Sequence, residues 1–287
     1  MAPSPPGGSR DPRIEDPSNR WVIHPLSRRL LPVALQAGWS ANAVSALGLV
    51  LGGGAAFAYG RGTPAFAVVG LLLSTGWLTM DGLDGMVARA TGTSSPLGRL
   101  IDGLCDHGVF VLIYVVLALD VGTVEGWLLA LSAGAAHALQ SSLYEGERAR
   151  FHRRAAGITL VDTRPKATSP LLRLYDRVAD IPGRHAAGFE RQLSAAPDRA
   201  TFGQRYAVAA VAPMRFLISQ TANVRVAAIF IAMLAGDPRL FWWFEIGPLS
   251  IAAIVGLAWH RRVERSIARD AGPARLQNLS KNGKHHG

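Results

Sequence analysis

The stretch MDGLDGMVARATGTSSPLGRLIDGLCDHG, residues 80–108, places four aspartates between two long apolar runs. Asp81 and Asp84 are three residues apart, and Asp102 and Asp106 are four apart, so each pair lies on one face of a helix. Two such helices, antiparallel across the turn between them, would bring both pairs to the same end. The stretch therefore predicts a helical hairpin with four carboxylates near its turn.

Four carboxylates at membrane depth are costly unless their charge is neutralised. Bound cations are the natural remedy, and oxygen ligands without soft donors favour Mg²⁺ or Mn²⁺. Four carboxylates can hold two ions about 4 Å apart, a pair that usually clamps a phosphate or pyrophosphate. Gly82, Gly85 and Ala88 would leave room for a nucleotide near the backbone. Arg89 would supply a positive fork for phosphate.

The composition of the whole chain suits a membrane better than water. The 287 residues are 49% hydrophobic, with 31 glycines and a net charge of +10. A single cysteine, Cys105, excludes an intramolecular disulfide and a Cys/His zinc pattern. The charged, proline-rich N-terminus has no apolar core, so it is not typical of a cleaved signal. We expect internal helices to insert the chain into the lipid bilayer, and we expect no nucleic-acid partner.

Six segments are apolar and long enough to span a bilayer, which needs about 20 residues per helix. They lie at 41–60, 63–80 continuing into the aspartate stretch, 99–119, 124–144, 216–235 and 240–260. We predict an all-α integral membrane protein with six transmembrane helices.

Lysine and arginine in the linkers predict the orientation of these helices. The short loops near residues 61, 122 and 238 hold only Arg61 and Arg239, while both termini and the other linkers hold nearly all the rest. By the positive-inside rule, both termini and the aspartates face the cytoplasm, in a multi-pass protein of the inner (cytoplasmic) membrane.

Other segments are predicted to lie at the membrane surface or outside it. HPLSRRLLPVALQAG, residues 24–38, combines leucines with two arginines, as an interfacial amphipathic helix does. Residues 149–205 form a basic cytoplasmic insert, with eleven Lys or Arg against five Asp or Glu. The insert fits contact with an anionic leaflet, and it equally fits an ordinary solvated loop. We predict a disordered tail at 1–20, a six-helix membrane domain at 21–262 and a basic tail at 263–287.

The aspartate stretch resembles the CDP-alcohol phosphotransferase (CDP-alcohol phosphatidyltransferase) family, whose signature is D-x2-D-G-x2-A-R-x8-G-x3-D-x3-D. All eight fixed positions are matched with the family's spacing: Asp81, Asp84, Gly85, Ala88, Arg89, Gly98, Asp102 and Asp106. A match of this length is highly specific. Family members have six transmembrane helices, an N-terminal interfacial helix and a site facing the cytoplasm, and they are typically homodimers.

The resemblance implies a reaction in which an alcohol hydroxyl attacks the β-phosphorus of a CDP-linked donor and CMP leaves. The four aspartates would bind two Mg²⁺ or Mn²⁺ ions, and Asp106 would also accept the proton of the attacking hydroxyl. Gly85 and Ala88 would line the cytidine pocket, with Arg89 and Gly98 at the nucleotide. CDP-diacylglycerol with a small polar acceptor fits this chain, and so does the converse pairing of a CDP-linked small alcohol with a lipid acceptor.

Three residues are candidates for binding the acceptor alcohol. Tyr144 and Arg148 follow His137 and Ser141 at helical spacing along the fourth span, and Arg225 interrupts the fifth. A polar stripe that satisfies neighbouring helices would explain the same pattern.

The alternative function is binding or transport of a divalent cation, because intramembrane carboxylates also line ion pathways. A transport path needs polar groups across the membrane, whereas these acids cluster at one end of the spans. The sequence therefore favours the transferase.

Overall fold

The structure is a computed structural model that describes residues 11–93, 96–159 and 187–270. Within these ranges only the backbone is described at 96–104, 106, 187 and 270. Within this part the regular elements are all helical. The α-helices are α1 (His24–Gln36), α2 (Ala41–Tyr59), α3 (Pro64–Ala90), α4 (Pro96–Val121), α5 (Val124–Ala155), α6 (Ala187–Ala195), α7 (Arg199–Phe216), α8 (Ala222–Leu234), α9 (Arg239–Phe244) and α10 (Ser250–Asp270). Shorter helical turns are at Asn19–Ile23, Leu217–Gln220 and Glu245–Leu249.

The chain divides into two compact units. The larger unit comprises Glu15–Gln140 and Ser219–Ser250, and the smaller unit comprises Met1–Ile14, Ser141–Ile218 and Ile251–Gly287. All eight signature positions belong to the larger unit.

Local sequence explains where the first two apolar helices begin. Ser40 precedes α2, and its side chain accepts a hydrogen bond from the backbone N–H of Ala43. Thr63 does the same for Phe66 at the start of α3, where Pro64 occupies the first helical position. Both are favourable helix starts, because the caps satisfy N–H groups that have no partner inside the helix.

Glycines let α2 pack closely against both α3 and α4. A Cβ on Gly48 would lie 3.2 Å from Met80 of α3, and one on Gly70 would lie 2.5 Å from Tyr59. On the other side, a Cβ on Gly52 would collide with Val109 of α4. A Cβ on Gly60, one residue beyond α2, would likewise collide with Val116 of the same helix. The order of these contacts makes α3 antiparallel to α2 and α4 parallel to it, so α3 and α4 are antiparallel.

Three stretches among the described residues are long and apolar enough to cross a membrane: Ala41–Tyr59, Pro64–Ala90 and Arg239–Arg269. The count rises to four if Arg199–Gln220 and Ala222–Leu234 form one broken span. Three of these stretches agree with the predicted segments 41–60, 63–80 and 240–260, and the bent pair contains the segment 216–235. Of the other two, segment 99–119 lies within α4, whose described side chains form an apolar stretch from His107 to Val121, and the helix containing 124–144 continues into a charged sequence. Six spans therefore stay a prediction.

The predicted N-terminal helix is present as α1 and packs against α3. Ser27 is fully buried, and its hydroxyl lies 2.8 Å from the backbone oxygen of Thr79. Large apolar side chains on the other side of this segment are exposed, with Trp21 72% and Val33 57% accessible. That pattern is typical of an interfacial helix, and its position at the membrane surface stays a prediction.

Two boundaries of the predicted membrane domain differ in the structure. Asp16, inside the predicted 1–20 tail, is buried and accepts a hydrogen bond from the Thr221 hydroxyl just before α8. At the other end, α10 continues past 262 to Asp270. At both boundaries the polar sequence predicts solvated residues. In the structure, polar residues there form hydrogen bonds or ion pairs with other segments of the chain.

The smaller unit has its own aromatic core. Tyr206 is fully buried, with ring contacts to Phe151 of α5 and Phe189 of α6 at 5.8 and 4.9 Å. This core includes the described part of the predicted insert, which is helical. Residues 160–186 of the insert lie outside the described part of the chain.

Candidate active site

The C-terminal end of α3 carries the first two aspartates. Asp84 is buried at 4% exposure, and its Oδ2 accepts a hydrogen bond of 2.5 Å from the Ser45 hydroxyl of α2. Asp81, one turn earlier, is partly exposed. The Asp84 carboxylate is thus held by a neighbouring helix, while Asp81 is the more solvent-accessible of the two.

Arg89 is on the same helix as these two aspartates, four residues after Gly85. Its side chain is exposed, and its Nη1 is 3.2 Å from where a Cβ on Gly85 would be. The small residue at 85 therefore makes space for the guanidinium. Ala88 is partly exposed beside it. This arrangement places a positive fork next to the carboxylate-bearing end of α3, as phosphate binding requires.

Gly82 has a different role from the one expected from sequence. We expected it to leave room for a nucleotide, but a Cβ at 82 would lie 2.8 Å from Ser27 Oγ. The residue is buried under α1. Gly82 is small because two helices meet there, and helix packing rather than ligand access explains it.

The other signature positions lie on α4. The backbone at Gly98, Asp102 and Asp106 is helical, and their side chains lie outside the described part of the structure. Trp77 and Phe110 make an edge-to-face contact between α3 and α4, with ring centroids 5.2 Å apart. Trp77 is one turn before Asp81 and Phe110 one turn after Asp106. Because the helices are antiparallel, backbone positions 81 and 106 lie at similar levels along them.

Arg225 of α8 is fully buried and fully engaged by protein groups. Its Nε donates to both carboxylate oxygens of Glu245 at 3.0 and 3.1 Å, and its Nη2 donates to Gln140 Oε1 at 2.9 Å. Its Nη1 donates to the backbone oxygen of Gln220. Glu245 is also completely buried. A guanidinium held in this way orients helices more readily than it binds an acceptor.

We predict that Glu245→Gln destabilises the protein, because it leaves the Arg225 charge buried without its partner. Loss of one member of a buried ion pair costs about 3–5 kcal/mol. The measurement is the midpoint of thermal unfolding of the purified protein in detergent. The double variant Arg225→Met/Glu245→Leu is the control and should recover much of the loss. Equal destabilisation by the single and double variants would contradict the ion-pair explanation.

Tyr144 and Arg148 belong to the smaller unit. Tyr144 is buried in the aromatic core of that unit, and Arg148 donates to Glu145 at 3.1 Å while remaining partly exposed. His137, on the part of α5 that belongs to the larger unit, is buried, with its ring centroid 4.3 Å from that of Phe110. These placements leave Arg148 the more accessible of the two acceptor candidates on α5.

A second group of possible metal ligands lies in the smaller unit. Glu147, His260 and Glu264 are buried and offer ligand atoms within 4.8 Å of one another. Arg150 pairs with Glu147 at 2.7 Å, and Arg154 pairs with Glu264. Burial alone would raise the pKa of Glu147, but its hydrogen bond with His260 and the neighbouring charges lower this pKa to about 2. Because both carboxylates already have arginine partners, this cluster is a charge-balanced network that needs no cation.

Sequence reasoning missed Ser45 and Glu245. Ser45 lies one turn into an apolar helix and has no pattern that links it to Asp84, 39 residues away. Glu245 did carry a signal, because it is the lone acid in the apolar run 240–259. An acid and an arginine in neighbouring apolar segments are expected to pair.

The fold and the aspartate-bearing hairpin define a helical integral membrane protein. Residues 39–149, which contain the complete signature, match the family model described as CDP-alcohol phosphatidyltransferase. This match confirms the resemblance to that family over 111 of the 287 residues.

Two relatives of this chain share one name. Cholinephosphotransferase 1 of Gallus gallus is 34% identical over 112 residues, covering 38% of this chain and 32% of that protein. Cholinephosphotransferase 1 of Xenopus laevis is 42% identical over 52 residues, covering 17% of this chain and 13% of that protein. The chain thus spans at most about a third of the length of these relatives. No solved structure matches significantly.

Proposed function

We propose that this protein transfers a substituted phosphate group from a CDP-linked donor to an alcohol in phospholipid biosynthesis, with release of CMP. The observation that carries the proposal is the complete eight-position signature on two antiparallel helices. The Trp77–Phe110 contact supports it, because it fixes the register in which the two aspartate-bearing segments lie side by side. The match over residues 39–149 supports the same reaction class.

The donor set fits two divalent cations. Asp81, Asp84, Asp102 and Asp106 supply only carboxylate oxygens, which Mg²⁺ and Mn²⁺ prefer. The Ser45 hydrogen bond to Asp84 is the kind of outer contact that orients a metal ligand. Two bound ions would neutralise the pyrophosphate and stabilise CMP as the leaving group.

The protein's own residues would bind the donor and move the proton. Arg89 binds phosphate oxygens, while Gly85, Ala88 and Gly98 admit the cytidine portion close to the helices. Asp106 would help to hold a metal ion and would accept the proton of the attacking hydroxyl at a carboxylate oxygen. The oxygen then attacks the β-phosphorus as the bond to CMP breaks.

The acceptor side of the proposal rests on Tyr144, Arg148 and Arg225. Arg148 is the candidate for direct contact, since it is partly exposed. Tyr144 and Arg225 are buried, so positioning the neighbouring helices is the role their contacts support.

Two donor classes remain, and each has support. CDP-diacylglycerol with a small polar alcohol and a CDP-linked small alcohol with a lipid acceptor both fit the sequence, while the names of the relatives favour phosphocholine as the transferred group. The test is a CMP-release assay on the purified protein that crosses both donors with a panel of small and lipid alcohols, followed by mass spectrometry of the lipids. CMP release with a new phosphodiester supports the proposal. Manganese uptake into vesicles without CMP release from any donor would favour cation transport instead.

We predict that Ser45→Ala raises the Mg²⁺ concentration needed for half-maximal CMP release by about 10–100-fold, the usual cost of losing a group that orients a metal ligand. The rate at saturating metal should change little. Ser74→Ala is the matched control, because Ser74 is a buried hydroxyl of α3 that lies 3.3 Å from Tyr59 and two helical turns before Asp81. An unchanged metal requirement in Ser45→Ala would remove Ser45 from the site.

The orientation proposed from charge places both termini and residues 149–205 in the cytoplasm. We predict that an impermeant thiol reagent added to intact cells labels Arg61→Cys but not Lys166→Cys, each in a Cys105→Ser background. Labelling at position 166 in intact cells would reverse the topology. The family resemblance also suggests a homodimer, which cross-linking in membranes can test.

A further inference from the structure

A basic groove lies in the smaller unit, away from the signature residues in the chain. It is a cavity of about 810 Å³ between α6 and the C-terminal half of α10. Its charged lining consists of Arg191, Glu264 and three arginines of α10, Arg261, Arg265 and Arg269. We call it the arginine groove. Its volume lies in the range of small-molecule sites, about 300–1,000 Å³.

The positive charge of the arginine groove is not cancelled by its one acid. Glu264 is buried and already paired with Arg154, which is fully buried. Arg261, Arg265 and Arg269 have no carboxylate within ion-pair distance in the described parts of the chain. Their spacing of four residues places them along one face of α10. The groove therefore presents at least three uncompensated guanidinium groups.

The position of the groove along α10 sets its level in the membrane. The candidate span Arg239–Arg269 has 31 residues, about 46 Å at 1.5 Å per residue, whereas the hydrocarbon core is about 30 Å thick. The sequence is apolar up to Trp259 and charged from His260 onward. The excess length thus falls at the arginines, which are at headgroup level if the apolar part spans the core.

We propose that the arginine groove binds the phosphate of an anionic glycerophospholipid from the surrounding leaflet. Guanidinium forks match phosphate oxygens in charge and geometry. Phe189 and Ala268 provide apolar walls for the glycerol portion. The proposal is independent of the transferase reaction, since its residues are separate from those of the signature.

Charge also argues against an occupant from the same chain. Two segments outside the described residues adjoin the helices of the groove in the sequence. They are 160–186, which precedes α6, and 271–287, which follows α10. The first has five Lys or Arg against three Asp, and the second has three Lys or Arg and no acid. Both would add positive charge to a groove that already has an excess.

The test measures binding of a short-chain lipid to the full-length protein in neutral detergent by calorimetric titration. The probes are dihexanoyl-phosphatidylglycerol, dihexanoyl-phosphatidylcholine as the zwitterionic control, and inorganic phosphate. We expect the anionic lipid to bind about 10-fold or more tightly than either control. The double variant Arg265→Gln/Arg269→Gln should lose about 10-fold or more of that affinity, as removal of two cations near a lipid surface implies.

Arg262→Gln is the matched control, since Arg262 is exposed on the same helix but does not line the groove. It should bind the anionic lipid as the unmodified protein does. Unfolding midpoints verify that each variant is folded, and Arg191→Gln on the opposite wall replaces the double variant if that one is unstable. Equal binding of the two lipids, or unchanged binding in the groove variants, would overturn the proposal. Equal binding of inorganic phosphate would show a soluble phosphate site and overturn the lipid assignment.

Discussion

Asp106→Asn is expected to lower the rate of CMP release by roughly 10²-fold or more while donor binding largely survives. An amide can still offer one oxygen to a metal ion, but it cannot accept the proton of the attacking hydroxyl. The measurements are the turnover rate at saturating metal and donor, and the affinity for the CDP-linked donor in a separate binding titration.

The control for this variant is Asp120→Asn. Asp120 is an exposed aspartate near the far end of the same helix, so it undergoes the same chemical change away from the signature. It should retain normal turnover. Near-normal turnover in Asp106→Asn would remove the base assignment and leave Asp106 as a metal ligand only.

The helices that carry the aspartates were predictable because two simple patterns agree there. Apolar residues continue from Pro64 up to the signature, and the aspartates at 81 and 84 keep helical spacing, so one helix from Pro64 to Ala90 satisfies both. The same reasoning gave α2 and the apolar part of α10. The hydropathy of a helix face indicates whether that face contacts lipid or water. Hydropathy is the dominant pattern in the sequences of these helices.

Partners that are distant in sequence were not predictable from such patterns. Gly82 was assigned to ligand access because nothing in the sequence shows that Ser27 packs on it. The insert at 149–205 was predicted to contact an anionic leaflet or to be a solvated loop, but Arg154 within it is fully buried and paired with Glu190 and Glu264. A polar residue looks the same in sequence whether water or another helix satisfies it, and only the fold decides between them.

Arg225 illustrates how both kinds of information combine. Arg225, an arginine within an apolar segment, was predicted to bind the acceptor, and a charge there is costly unless it is paired. Its partner Glu245 lies 20 residues away, in a short helical turn that contains Pro248. The structure pairs Arg225 with an acid of the protein, and its predicted role in acceptor binding stays a prediction.

Removal of divalent metal is expected to abolish CMP release completely and reversibly. Four carboxylates that meet a pyrophosphate repel it unless cations lie between them, so the stripped protein should bind neither donor nor product tightly. Purified protein treated with excess EDTA and then dialysed should regain activity with Mg²⁺ or Mn²⁺.

Asp81→Asn tests the same point within the protein. Removing one charge from a shared cation site weakens the clamp itself, so metal and nucleotide binding should fall together, as they should in Asp102→Asn. This pattern differs from that of Asp106→Asn, in which binding survives and turnover is lost. The measurement pairs a metal titration of CMP release with a donor-binding titration on each variant, and Asp120→Asn again serves as the control. Undiminished CMP release after thorough stripping, or donor binding by Asp81→Asn equal to that of the unmodified protein, would show that these carboxylates are not a metal site.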